Sequence, residues 1–126
     1  MKNDIQSRED IIRLVDTFYG RVRGNELLGA VFNPRLEGRW PEHLEKMYDF
    51  WQTVLLYEHR YSGHPFAPHA TMPIQKEHFD TWVQLFTETV YELFEGPVAD
   101  DAAERAARMS LIFQSKLYYI HTFRDK

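Results

Sequence analysis

Apolar residues recur at intervals of three and four positions along four long stretches of the chain, and this spacing restricts the fold more than any other feature. It predicts amphipathic helices over about 8–23, 41–57, 75–95 and 98–121. Between the first two, Leu27 and Phe32 mark a shorter segment that predicts a brief helix and a corner ahead of Asn33 and Pro34. The alternation typical of strands does not occur, so the sequence predicts an all-α fold.

The ends of these segments indicate how the helices begin and pack. Ser7 and Asp10 are predicted to cap the first helix, and Pro41 suits the first turn of the second. Gly20, inside the first helix, predicts the close approach of another backbone segment. Helices of this length joined by corners favour pairwise crossing packing over an up-and-down bundle. We expect a single domain over 1–126.

Charge and composition exclude several classes of protein. The formal net charge is −4 and Lys and Arg form no run, which argues against nucleic-acid binding. The N-terminal stretch MKNDIQSRED is polar and no apolar run is long enough to span a bilayer, so we expect a cytoplasmic protein without membrane contact. The chain contains no cysteine, which rules out disulfides and a covalent Cys-x-x-Cys-His haem attachment.

An irregular segment, SGHPFAPHATMP at 62–73, separates two of the predicted helices. Its three prolines limit any helix there to about one turn, so His69 is held in a stiff loop. A metal-bound imidazole needs such a fixed ring, although a loop histidine without a ligand role is the alternative. A zinc site of His59, His64 and His69 is disfavoured, because steps of five residues place side chains about 140° apart on a helix.

Three polar side chains fall on apolar helix faces. Tyr19 lies on the apolar stripe of the first helix, and Trp82 is centred on that of the third. His43 lies one turn before Met47, at the edge of the inward face of the second helix. Each has an alternative interpretation by itself: a core tyrosine bonded to backbone, a core tryptophan and a surface imidazole.

A haem group would unite these residues in one site. Haem is a flat apolar ring with a charged edge, and it requires apolar walls, an axial ligand and selected polar groups. Tyr19, His43 and Trp82 come from three helices and can each donate a hydrogen bond to a ligand such as dioxygen, which gains partial negative charge on iron. The walls are assigned to residues that also suit an ordinary core: Phe32, Met47, Phe50 and Trp51.

Four ordered blocks of the sequence resemble group III truncated haemoglobins over nearly the whole chain. The blocks are LVDTFYGRVR at 14–23 with LGAVFN at 28–33, WPEHLEKMYDFW at 40–51, YSGHPFAPHATMP at 61–73 and HFDTWVQLF at 78–86. The resemblance implies a truncated globin-like 2-on-2 helical sandwich with non-covalent haem b, whose proximal helix is reduced to a loop and one turn. It also implies that His69 is the proximal iron ligand.

The same resemblance assigns roles to individual positions. Tyr19 corresponds to the distal tyrosine, Trp82 to the distal tryptophan, and His43 to the distal histidine at the ligand gate. Phe32 corresponds to the corner phenylalanine that wedges the haem, and Met47 to a distal wall position that is usually aliphatic.

One position departs from the family pattern. Thr81 stands where the family often has an arginine before the tryptophan, so one haem-propionate anchor is missing. Arg60, His64 and Lys76 are candidates to replace it.

Three functions follow as hypotheses. The first is a haem protein that binds dioxygen, nitric oxide or carbon monoxide, with a redox partner. The second is a haem-dependent enzyme, either peroxidase-like or detoxifying nitric oxide, since the same donors would polarise a peroxide. The third is a haem-free helical interaction module.

Overall fold

A computed structural model describes residues 2–58 and 74–119, with side chains as far as 116. Helices form nearly all of this part of the chain: Arg8–Gly24 (α1), Glu26–Leu36 (α2), Trp40–Leu56 (α3), Lys76–Leu93 (α4) and Pro97–Tyr119 (α5). The described ranges contain no strand, which confirms the predicted all-α fold class. No helix in them is long and apolar enough to cross a membrane.

The four long helices begin within two residues of their predicted starts, and α1, α3 and α4 end within two residues of their predicted ends. The Ser7 hydroxyl accepts a hydrogen bond from the Asp10 amide at 3.3 Å, as predicted for the start of α1. The Asp10 carboxylate accepts from the Gln6 amide at 2.9 Å, so the cap reaches one residue further back than expected. In α3, Pro41 lies in the first turn, where its missing amide costs no helical hydrogen bond.

The short helix between α1 and α3 extends beyond its predicted end. The predicted short helix continues through Pro34, which lies inside α2. Pro34 and Ala30 are both exposed, so water can satisfy the carbonyl that the proline leaves unbonded.

The close approach predicted at Gly20 is wrong, because no atom lies within 4 Å of a Cβ built there. It occurs at Gly29 instead, where a Cβ would lie 2.9 Å from the Arg23 carbonyl oxygen.

Aromatic rings connect α1, α3 and α4 in the core. Phe18 of α1 meets Phe86 of α4 edge to face, with ring centroids 5.1 Å apart. Trp51 of α3 stacks on the same Phe86 ring at 4.8 Å. Each such pair contributes about 0.5–1.5 kcal/mol beyond the burial of its surface. These contacts therefore hold the three helices together next to the position of Tyr19 in α1.

Polar contacts at the two ends of α1 maintain the same arrangement. Arg8 donates to the Asp49 carboxylate of α3 at 2.9 Å, and Arg21 donates to the Thr89 hydroxyl of α4 at 2.9 Å. Thr89 is fully buried. Hydrogen bonds are directional, so these contacts act together with the aromatic packing to orient the face of α1 that carries Tyr19 toward α3 and α4.

The N-terminal segment fixes the start of α5. Asp4 accepts hydrogen bonds from the Val98 and Ala99 amides, both at 2.9 Å. A carboxylate at this position satisfies free amides and interacts favourably with the positive end of the helix. Gly96 has a φ of +136°, and a Cβ there would lie 2.6 Å from Asp4, so only glycine admits this cap.

Candidate functional site

Tyr19 is placed inside the fold by its position on the buried face of α1. The side chain is 6% exposed. Burial raises the pKa of its hydroxyl well above the ordinary value, and a hydrogen bond with the Trp82 side chain lowers it in part. An indole N–H can only donate, so Tyr19 oxygen accepts from Trp82 and the tyrosine proton stays available for another acceptor.

Trp82 is fixed by two core phenylalanines. Its indole stacks on Phe86 with ring centroids 5.6 Å apart and planes 5° from parallel. Phe18 meets the indole edge to face at 5.5 Å. Both phenylalanines are almost completely buried, so the indole has little room to turn and its N–H remains directed at Tyr19.

His43 contacts Tyr19 from α3. It lies in the first turn of α3, and its ring meets that of Tyr19 edge to face at a centroid distance of 5.0 Å and an angle of 89°. Side chains from α1, α3 and α4 thus converge on one place, as the sequence predicted. We call Tyr19, His43 and Trp82 the polar triad.

The predicted apolar wall residues lie in the core that contains Tyr19. Phe50 and Trp51 of α3 are buried, and their ring centroids lie 5.2 Å apart. Trp51 reaches the triad through Phe86, on which both tryptophan rings stack. Phe32 of α2 is buried as well, and Met47 of α3 is half-buried against the same core.

The remaining predicted ligands lie outside the described residues. These are His69, the alternative zinc ligands His59 and His64, and the propionate candidate Arg60. The described part of the chain holds no group of three or more His, Asp or Glu residues that could bind a metal ion.

The described residues near the missing propionate anchor are engaged in local contacts. Lys76 is exposed and pairs with the Asp80 carboxylate at 2.8 Å, one turn away on α4. Thr81 donates its hydroxyl to the Glu77 carbonyl at 2.8 Å, within the same helix. A role for Lys76 at a propionate would therefore require exchange of its present partner.

Trp40 is a residue beside the polar triad for which the sequence analysis predicts no role. It is 6% exposed, and its ring lies 6.0 Å from that of Tyr19 and 5.9 Å from that of His43. The guanidinium carbon of Arg23 lies 4.7 Å from the centroid of the Trp40 ring. The signal for Trp40 was its spacing of three residues before His43, which places both on one helix face.

The polar triad combines O–H, N–H and imidazole groups with neighbouring aromatic rings. Groups of this kind can donate hydrogen bonds to a small polar ligand held against an apolar wall.

Comparisons with known proteins agree with this fold. The bacterial-like globin family profile matches residues 3–114. A group 3 truncated hemoglobin of Campylobacter jejuni is 32% identical over 122 residues, which span 94% of this chain and 96% of that protein. The crystal structure of a group III truncated hemoglobin from Campylobacter jejuni superposes with a TM-score of 0.85 at 32% identity, covering 94% of this chain and 96% of that one. The predicted truncated globin-like architecture is confirmed.

Proposed function

Because the chain belongs to the bacterial-like globin family, we propose that it binds haem b without a covalent link and takes up dioxygen or another small diatomic ligand. Globins bind haem and small diatomic gases, and this much follows from membership of the family. The finer proposal depends on one observation: Tyr19, His43 and Trp82 reach the same place in the core from three helices.

The proposed haem pocket uses residues from inside and outside the described part of the chain. His69 is the iron ligand that the resemblance to group III truncated haemoglobins implies. The apolar walls are Phe32, Met47, Phe50 and Trp51, which the structure buries fully or in part. The absence of cysteine from the sequence agrees with haem held by coordination and packing rather than by thioether bonds.

Each member of the triad has a distinct task in this proposal. Haem supplies the iron to which the diatomic ligand binds. Tyr19 would donate a hydrogen bond from its hydroxyl to the ligand, and burial keeps the hydroxyl protonated. Trp82 donates its N–H to the Tyr19 oxygen, which orients the hydroxyl. His43 closes the pocket on the α3 side and adds a further polar group.

Haem-dependent redox catalysis is the second candidate, and the same triad favours it. Donors that stabilise negative charge on a diatomic ligand also polarise a peroxide or assist nitric oxide removal. Turnover assays with a chemical reductant separate the two functions: stable reversible oxygenation without turnover supports binding, and sustained consumption of peroxide or nitric oxide supports catalysis.

Adding haem to the purified protein is expected to give one Soret band at a one-to-one ratio and to raise the melting temperature. A ligand that binds only the native state at 100 times its dissociation constant stabilises that state by about 2.7 kcal/mol. For a domain of this size the melting temperature then rises on the order of 10 °C. Differential scanning calorimetry with and without haem measures the change.

A haem-free interaction module gives the opposite result. It predicts a folded chain whose melting temperature does not change when haem is added, and whose mixture with haem keeps the spectrum of free haem. Zinc-free buffer and a chelator serve as the control, because they leave haem binding intact but would destabilise a histidine-based zinc site.

A further inference from the structure

Trp40 lies between the polar triad and the exposed side chain of Arg23. As the first residue of α3 it is followed by Pro41, whose fixed φ restricts the backbone at this helix start. The ring meets His43 nearly perpendicular, at 81°, and is tilted by 60° to that of Tyr19. His43 is therefore perpendicular to two rings at once, and turning its imidazole would disturb both edge-to-face contacts.

Arg23 fixes the position of Trp40. Its guanidinium carbon lies 4.7 Å from the Trp40 ring centroid, against 5.9 Å for Arg8 over Tyr48 and 5.7 Å for Arg13 over Phe94. Tryptophan is the strongest partner for a cation over an aromatic face.

The surroundings of Arg23 favour this stacked position. Its backbone carbonyl accepts a hydrogen bond from the Asn33 amide group at 3.1 Å, which ties the end of α1 to α2. Among the described side chains, no carboxylate comes within salt-bridge distance of the Arg23 guanidinium. None of the described carboxylates therefore competes with the Trp40 ring for this cation.

We propose that Trp40, held by Arg23, is a positioning residue that keeps the His43 imidazole edge-on to Tyr19 and so controls ligand access to the triad from the α1–α3 corner. The contacts run in sequence from exposed Arg23 to buried Trp40 and then to His43 and Tyr19. The part concerning ligand access rests on the proposed function, whereas the positioning of His43 does not.

The test replaces Arg23, because this exposed side chain can be changed without opening the core. Arg23→Gln removes the cation and keeps a shorter polar side chain, and Arg23→Lys restores a cation on a long side chain. In the haem-loaded protein we expect Arg23→Gln to raise the rate of carbon monoxide association about two- to fivefold, the range that loss of an exposed cation–π contact supports. Laser photolysis measures that rate, and Arg23→Lys should return it to the wild-type value.

A structural readout accompanies the kinetics. Nuclear Overhauser contacts between the ring protons of His43 and Tyr19 should be strong in the wild type, weaker in Arg23→Gln and restored in Arg23→Lys. Arg13→Gln is the matched control, since it removes a cation from over the Phe94 ring and should change neither readout. Melting temperatures of all variants show whether an effect arises from general destabilisation.

Trp40→Leu provides a second variant with a larger expected change in both readouts. Wild-type association rates and unchanged His43–Tyr19 contacts in Arg23→Gln would overturn the proposal, whether or not Trp40→Leu folds. Failure of the proposed function looks different: the wild-type protein mixed with haem would keep the spectrum of free haem, while the His43–Tyr19 contacts would still decide the positioning role.

Discussion

Haem-loaded protein in which alanine replaces His69 is expected to show a weakened or shifted Soret band and a much lower affinity for haem. The resemblance to group III truncated haemoglobins implies that this imidazole is the protein's bond to the iron. Losing a group that merely supports a metal ligand costs about 10- to 100-fold in affinity, so losing the ligand itself should cost at least as much. Absorbance titration with haem measures both effects.

Two controls make the His69 experiment specific. His59→Ala removes a histidine from the same part of the chain and should leave the spectrum and the affinity unchanged. Free imidazole added to His69→Ala should restore the wild-type spectrum, because it can occupy the place of the missing side chain. A spectrum of His69→Ala that matches the wild type would remove His69 as the iron ligand.

Replacing Tyr19 with phenylalanine is expected to speed the release of dioxygen by about 10- to 100-fold. Hydrogen bonds to charged groups contribute about 1.5–3 kcal/mol, and dioxygen gains negative charge when it binds ferrous haem. Phenylalanine preserves the ring that contacts His43 and Trp40, so the change is confined to the hydrogen bonds of the hydroxyl, including the one that it accepts from Trp82. Stopped-flow displacement of dioxygen by carbon monoxide measures the release rate.

Tyr48→Phe is the matched control for this experiment. The Tyr48 hydroxyl also donates a hydrogen bond, but to the Asp16 carboxylate near the surface rather than into the triad. Burial, together with Asp16, raises the pKa of Tyr48 to about 12, so both tyrosines are protonated at neutral pH. Equal release rates in the wild type and Tyr19→Phe would show that Tyr19 does not donate to the ligand.

The helices were predictable because their apolar spacing is a local property of the sequence. The error at Pro34 came from treating a local rule as decisive, although the exposed carbonyl of Ala30 can be hydrated. The close approach occurs at Gly29 and not at Gly20 because the Arg23 carbonyl approaches α2 in the folded chain. The spacing of apolar residues along a helix carries no information about such a contact. The helices can therefore be predicted from the sequence, whereas the way in which they cross can be read only from the folded structure.

The triad could be predicted in the same way, since a tyrosine and a tryptophan on apolar stripes must both lie inside the fold. Their hydrogen bond depends on the crossing of α1 and α4, which spacing alone does not define. Trp40 was missed because its role arises from three rings and one cation that belong to two different helices. His69 remains a prediction carried by the resemblance.

A crystal structure of the haem-loaded protein with a bound diatomic ligand tests the central claim most directly. We expect the His69 ring on one side of the iron, and the Tyr19 hydroxyl within hydrogen-bond distance of the ligand on the other, with Trp82 still bonded to the tyrosine oxygen. A haem bound elsewhere, or an iron held by another side chain while His69 faces away, would contradict it.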